Sequence, residues 1–274
     1  MDINTSAKIL NIQINPKIGD KMYNCNKIGE FISDNSKEGL DLVIMPEFFS
    51  TGIDDNSFIN HPEEEKNSPV LLYFGELARQ FRTNIICGTI IEKDPEGKLF
   101  NTSYALDRNG AIVGKYRKIH LYNYLGGNEG KKITPGSAPS VVNFDFAAVG
   151  MSICFDIRYP LLFKNLIKMG AEIIVAPAAW CNLTSTPEDE MADFINCWRA
   201  LNVARAAENL VYFISSNQTG KSYPYLYSIG NSMIVNPLGK IISNAQNNEC
   251  AVFEKLDMSL VRKLKREYPV YNID

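Results

Sequence analysis

Strand-length apolar runs alternate with helix-patterned segments along the whole of this chain, and that rhythm restricts the fold more than any other feature. Residues 8–15 (KILNIQIN) alternate apolar and polar side chains with period two, as a half-buried strand does. Residues 41–45 (DLVIM) form a continuous apolar run stopped by Pro46, the pattern of a strand covered on both faces. Between them, residues 20–37 place Met22, Ile28, Phe31 and Ile32 at helical spacing behind Asp20, a residue suited to an N-cap. Residues 69–81 carry a second helical stripe with Leu71, Leu72, Phe74, Leu77, Ala78 and Phe81. Strands follow at 84–91, 102–106 and 111–116, punctuated by Asp94-Pro95-Glu96-Gly97 and Asn109-Gly110 as hairpin turns.

The second half repeats the rhythm: strands at 141–144 and 147–153, a helix at 160–169, a buried strand at 172–176 and a long helix at 187–209. Strands at 210–216, 228–235, 240–243 and 251–254 and a terminal helix at 257–266 complete it, its basic residues reading as a solvated face. With two similar halves and no linker or low-complexity tract, residues 1–274 read as one α/β domain of two mixed sheets flanked by helices. No apolar run approaches the roughly 18 residues that span a bilayer, and a net charge of −3 leaves no polyanion-binding footprint. The expected partners therefore include neither membrane nor nucleic acid. The first residues lack a secretory pattern, and the six cysteines form no C-x-x-C pair, so the expectation is a cytoplasmic chain with reduced thiols. Two histidines leave no set for a zinc site built on several imidazoles, and acid–base work falls to carboxylates and lysine.

In α/β sheets, ligands bind beyond the carboxyl ends of strands. Three reactive residues sit there: Glu47 after 41–45, Lys118 after 111–116, and Cys154 after 147–153 and before a helix. Each alone has a plainer reading, as a turn carboxylate, a solvated charge or a core filler. A strand-to-helix elbow also sets Cys154 near a helix dipole, which favours a thiol pKa below the free value. Together the three suffice for acyl transfer: a thiol nucleophile, a carboxylate to shuttle protons and a cation for the oxyanion.

The motifs around these residues resemble the nitrilase, or carbon–nitrogen hydrolase, superfamily over almost the whole chain. They are MPEFFSTG from Met45, KYRKIHLY from Lys115 and GMSICFDIRYP from Gly150, supported by NEGKKITPG from Asn128, RALNVARAAEN from Arg199 and GNSMIVNPLGKII from Gly230. The resemblance implies an αββα sandwich, commonly a homodimer, working on a small-molecule amide without metal or organic cofactor. It implies Glu47 as general base then acid, Lys118 as oxyanion stabiliser, Cys154 as nucleophile and Glu129 as a further active-site carboxylate. The backbone N–H of Phe155 joins Lys118 at the oxyanion, while His120 packs or hydrogen-bonds rather than transferring protons.

Among the branches, the motifs are most similar to omega-amidases, which deamidate dicarboxylic monoamides such as 2-oxoglutaramate. Arg158, four residues beyond the nucleophile, suits a bidentate pair with a distal carboxylate; its alternative is a structural ion pair with Asp156 or elsewhere. Tyr122 and Trp180 are expected to wall the pocket. Leu161, the pair Trp180-Cys181 and the long stretch 185–193 depart from the omega-amidase pattern, which keeps aliphatic amides and N-carbamoyl compounds open as substrates. A noncatalytic scaffold of the same fold is the reading from another class.

Overall fold

The opening period-two run forms β1 (Ser6–Gln13), followed by α1 (Lys21–Asn35), and the apolar run before Pro46 forms β2 (Leu42–Ile44). Asp20 caps α1 by accepting from the backbone N–H of Tyr23. Next come α2 (Pro69–Phe81), capped by Ser68, and the antiparallel strands β3 (Asn84–Lys93), β4 (Leu99–Leu106) and β5 (Ile112–Arg117). The chain goes on to β6 (Ser140–Asn143), β7 (Ala148–Met151), α3 (Pro160–Lys168), β8 (Ile173–Ala178), β9 (Cys181–Leu183) and α4 (Glu188–Asn209). It continues through β10 (Tyr212–Asn217), β11 (Thr219–Tyr223), β12 (Leu226–Ile229), β13 (Met233–Val235), β14 (Ile241–Asn244) and β15 (Cys250–Asp257) to α5 (Met258–Glu267). This computed structural model describes residues 5–53, 60–124 and 127–268.

Two six-stranded mixed sheets result, in the orders β15-β1-β2-β3-β4-β5 and β14-β13-β10-β8-β7-β6. Their pairings match: β1, β2 and β3 run parallel to one another in the first, as β7, β8 and β10 do in the second, with antiparallel strands outside. Each half also lends its last strand to the other half's sheet. Thus β6 follows β5 yet pairs with β7, and β15 follows β14 yet pairs with β1. The apolar faces of α1 and α2 close the outside of the first sheet through Cys25, Ile28, Ile32, Val70, Phe74 and Ala78. Between the sheets, Ile9, Ile44 and Ile86 share a core with Ile174 and Ile214 that runs on to Leu166 of α3 and Trp198 of α4. The architecture is the expected αββα sandwich. No helix among the described residues is long and apolar enough to cross a membrane.

Three local readings need correction. Met22 and Leu72 do not lie on buried stripes but are 45% and 64% exposed, because the helices turn Cys25 and Ile32, and Val70 and Phe74, inward instead. The single strand expected at 228–235 is two strands in different sheets, broken where Gly230 and Asn231 take φ of 63° and 55°. A third sheet, β11-β12-β9, was not anticipated, since its strands are short and TGKSY has no apolar alternation. This small sheet braces Trp180: β9 begins at the next residue, and Ile229 of β12 donates its N–H to the Trp180 carbonyl.

Candidate active site

The carboxyl ends of β2, β5, β7 and β8 meet at one edge of the sandwich. Glu47 lies beyond β2 in a turn whose Phe48 has φ of 51° and donates its N–H to Thr89 Oγ1 at 2.9 Å. Gln218 fixes the Glu47 carbonyl from the opposite sheet, Nε2 to O, at 2.7 Å. Lys118 opens the crossover from β5 to β6; its N–H donates to the Asn101 carbonyl at 2.9 Å, and its own carbonyl accepts from Gly136 at 2.8 Å. Cys154 starts a 3-10 turn, Cys154–Arg158, between β7 and α3, and its φ of 46° is the left-handed region that non-glycine residues rarely occupy.

Asp156, fully buried, holds that elbow. Its carboxylate accepts from the Ile153 N–H at 2.9 Å, the Tyr116 hydroxyl at 2.8 Å and the His120 N–H at 3.1 Å, and His120 Nδ1 lies 2.7 Å away. The His120 ring stacks on Tyr159 with centroids 3.6 Å apart. The lysine segment and the cysteine elbow are thereby joined through one carboxylate.

Around this frame the four sequence-predicted groups converge. Lys118 Nζ lies 2.8 Å from Glu47 Oε1 and 2.9 Å from Glu129 Oε2, and all three side chains are buried. Asn101 of β4 donates both amide hydrogens, to Glu47 Oε1 at 2.8 Å and to Glu129 Oε1 at 2.9 Å. The N–H of Ala179 donates to Glu47 Oε2 at 2.9 Å, and that of Tyr122 to Glu129 Oε2 at 2.8 Å. The Cys154 thiol, 8% exposed as a residue, faces Glu47, Lys118 and the Ala179 N–H.

Burial opposes charge on Lys118, Glu47 and Cys154, and their neighbours decide the outcome. Burial works to lower the Lys118 pKa, but Glu129, Glu47 and Cys154 outweigh it and hold the ammonium protonated well above its usual range. Burial pushes the Glu47 carboxyl up, Lys118 pulls it back and Glu129 raises it again, leaving it above the ordinary carboxylate value. The Cys154 thiol is pushed well above the free value by burial and by Glu47, with only partial relief from Lys118 and the Ala179 N–H. The expected lowering of the thiol pKa is therefore overturned: desolvation and a neighbouring carboxylate exceed what a single 3-10 turn supplies.

The predicted wall residues lie beside the cluster. Phe155 packs edge-on to Tyr122 with ring centroids 5.3 Å apart, and Trp180 packs on Trp198 at 4.9 Å. The exposed Arg158 guanidinium lies 5.1 Å from the Trp180 ring centroid, with Nη2 donating to Cys197 Sγ at 3.8 Å. Among the described residues Arg158 has no carboxylate partner, so the alternative of an ion pair with Asp156 is not what forms. Of the departures from pattern, Leu161 is exposed in the first turn of α3 and 185–193 leads into the first turns of α4, whereas the Cys181 thiol lies near the cluster. Burial, and then Glu47, push that thiol up to about 12. No group of three or more His, Cys, Asp or Glu side chains among the described residues is arranged to hold a metal ion. Sequence reasoning missed Asn101, Gln218 and the Ala179 N–H. The polar triplet Asn101-Thr102-Ser103 inside a strand was a usable signal for the first, because buried strand positions rarely carry an amide without a partner.

Comparison with known proteins identifies the family. The family model described as carbon-nitrogen hydrolase matches residues 11–266. The omega-amidase NIT3 of Saccharomyces cerevisiae is 26% identical over 98% of this chain and 93% of its own length, and the human omega-amidase NIT2 is 27% identical over 92% and 89%. A deaminated glutathione amidase of Dictyostelium discoideum is 30% identical over 92% of this chain and 89% of its own. The crystal structure of yeast Nit3, a member of branch 10 of the nitrilase superfamily, superposes with a TM-score of 0.85, covering 97% of this chain and 95% of that one. With almost its entire length matched by one family model, and with the same fold as a solved member, the chain belongs to the carbon-nitrogen hydrolases of the nitrilase superfamily.

Proposed function

We propose that this amidase hydrolyses a small dicarboxylic monoamide to the dicarboxylate and ammonia through a thioester on Cys154. The observation that carries the reading is the convergence of Glu47, Lys118, Glu129 and the Cys154 thiol in one buried cluster. Because the thiol is not ionised in advance, a base must take its proton as it attacks. Glu47 is that base: Oε1 is engaged by Lys118 and Asn101, while Oε2 accepts from the Ala179 N–H and has a lone pair left for the proton.

As Glu47 accepts the Sγ proton, the sulfur electron pair forms a bond to the carboxamide carbon, and the carbonyl π pair moves onto oxygen. The Lys118 ammonium and the Phe155 N–H stabilise that oxyanion; losing one such donor typically costs about 3–4 kcal/mol. Glu47 passes its proton to the amide nitrogen, the C–N bond breaks, and ammonia leaves a thioester. A water then gives a proton to Glu47 and attacks the thioester carbon. The C–S bond breaks, the acid departs and the sulfur regains its proton. Glu129 keeps Lys118 and the Tyr122 backbone in register throughout.

The distal carboxylate is assigned to Arg158, whose fork lies against Trp180 without an acidic partner among the described residues. Relatives named omega-amidases support the same class. The test is ammonia release by the purified protein from 2-oxoglutaramate, succinamate, butyramide, an N-carbamoyl amino acid and a nitrile. The dicarboxylic monoamides are expected to be preferred, Cys154→Ala to release nothing above background, and alkylation of Cys154 to abolish turnover in proportion. Turnover retained by Cys154→Ala overturns the mechanism; equal rates on succinamate and butyramide overturn the substrate class.

A further inference from the structure

Glu47 and Glu129 are two nearly buried carboxylates sharing one ammonium, an arrangement in which one acid ordinarily keeps a proton because like charges repel in a low dielectric. We propose that Asn101 is a positioning residue that holds both carboxylates in place around Lys118 and confines the travelling proton to the thiol side of Glu47. The proposal rests on the amidase reading above, in which Glu47 is the base.

The geometry behind it is a double bridge. Lys118 Nζ spans Glu47 Oε1 and Glu129 Oε2, and Asn101 Nδ2 spans Glu47 Oε1 and Glu129 Oε1. Both bridging groups only donate, so a proton placed on a bridged oxygen meets another N–H rather than a lone pair. Glu47 Oε2, facing Ala179 and Cys154, is left as the basic atom. The same residue anchors the lysine, since the Asn101 carbonyl accepts the Lys118 N–H at 2.9 Å. One rigid position in β4 thus sets the spacing of all three charged groups.

A second observation supports the assignment. Asn101 Oδ1 is buried with no hydrogen-bond partner among the described residues, a state that proteins ordinarily avoid. Rotating the amide would turn Oδ1 toward two carboxylates and remove both donors, so the cluster fixes the orientation and tolerates the unsatisfied acceptor. The other titratable groups near the pair are Cys154 at the elbow and Cys181 on β9. Glu92, on β3, lies on the opposite face of the sheet from Asn101, tied to Thr102, Lys115 and Arg117.

Two variants test the proposal: Asn101→Asp, nearly isosteric but an acceptor when ionised, and Asn101→Ser, neutral with a single donor. Three experiments are run: kcat and KM from pH 5 to 9, the rate of Cys154 inactivation by iodoacetamide over the same range, and the thermal melt. Losing a donor that favours a charged carboxylate raises that carboxylate's pKa, so activity is lost at higher pH as the medium is acidified. For Asn101→Asp, the acidic limb of kcat/KM is expected to rise by about one unit or more. At pH 7, kcat is expected to fall about 100-fold with little change in KM, and Asn101→Ser to fall between. The iodoacetamide profile is expected to shift in the same direction. It needs no substrate, so a wild-type protein inert toward every amide would sink the proposed function while this measurement still judges Asn101. Folded variants with wild-type acidic limbs overturn the proposal; where Asn101→Asp does not fold, Asn101→Ser alone decides.

Discussion

Replacing Arg158 with leucine separates recognition of a distal carboxylate from the chemistry at Cys154. A full ion pair at 4 Å is worth about 4 kcal/mol at an effective dielectric of 20 and about 1 kcal/mol in water. Arg158 is exposed, which pulls the figure toward the lower limit, while its planar fork allows two charge-assisted bonds, which pulls it back up. About 2 kcal/mol results, or about 30-fold in kcat/KM. Succinamate and butyramide are suitable probes, because they share chain length and differ in carboxylate against methyl. The Arg158→Leu variant should lose about 30-fold on succinamate and little on butyramide. The loss should fall mainly in KM, since a contact far from the reacting carbon is present equally in the ground and transition states. Arg158→Lys should lie between, keeping the charge and losing the fork. Added salt should narrow the wild-type preference. Equal losses on both amides would show that Arg158 supports Trp180, over which it lies, rather than the substrate, and the recognition argument would fail.

Two further outcomes rest on particular contacts. Burial works against charge on Glu92, but hydrogen bonds from Arg117, Lys115 and Thr102 overcome it and hold the carboxyl down to about 2. A depressed folded-state pKa gives stability that is complete above the unfolded value and lost between about 4.5 and 2, worth about 3 kcal/mol; urea unfolding of Glu92→Gln should give lower stability at pH 7 and a flatter acid dependence, and curves parallel to wild type would contradict it. At Gly88 a Cβ would sit 1.9 Å from the Pro46 carbonyl oxygen and 2.7 Å from the Phe49 ring, so Gly88→Ala should displace the segment bearing Glu47 and lower both the melting temperature and kcat, whereas an unchanged melt refutes that close approach.

Much of this molecule was legible because each catalytic candidate ends a segment whose own pattern is strong. Glu47 comes after a run buried on both faces, Lys118 directly follows a hairpin strand, and Cys154 follows a strand that leads into a proline-started helix, so local rules place all three just beyond strand ends. What escaped depends on distant groups. The direction of the Cys154 shift is set by Glu47, more than a hundred residues earlier, and by burial that only the packed sheets create. Asn101 is an ordinary polar residue in a strand until two carboxylates from other segments close on it. The fate of Arg158 turned on Asp156, two residues away, being claimed by Tyr116, His120 and Ile153. Periodicity carries none of this, because each contact is a tertiary choice among several that local geometry allows.

The matching pairing pattern of the two sheets explains why the centre forms at one place only. The counterparts of β1, β2 and β5 in the second half are β7, β8 and β14. Glu47 and Lys118 therefore come from the first half, but the position after β1 that corresponds to Cys154 lies near Asn15, while Ala179 comes after β8 where the first half has Glu47. At the end of β1, Gln13 donates to the carbonyls of Gln246 and Asn248 and accepts from Ser232. The crossovers differ as well: residues 245–249 join β14 to β15, whereas residues 118–139 join β5 to β6 and carry Lys118, Tyr122 and Glu129. Neither half holds a nucleophile, base and cation by itself. The exchanged strands β6 and β15 tie each half to the other's sheet, and the candidate site spans the two sheets so joined. The Ala179 N–H on Glu47 Oε2 and the Gln218 amide on the Glu47 carbonyl are contacts that tie the second sheet to the turn after β2 at this edge.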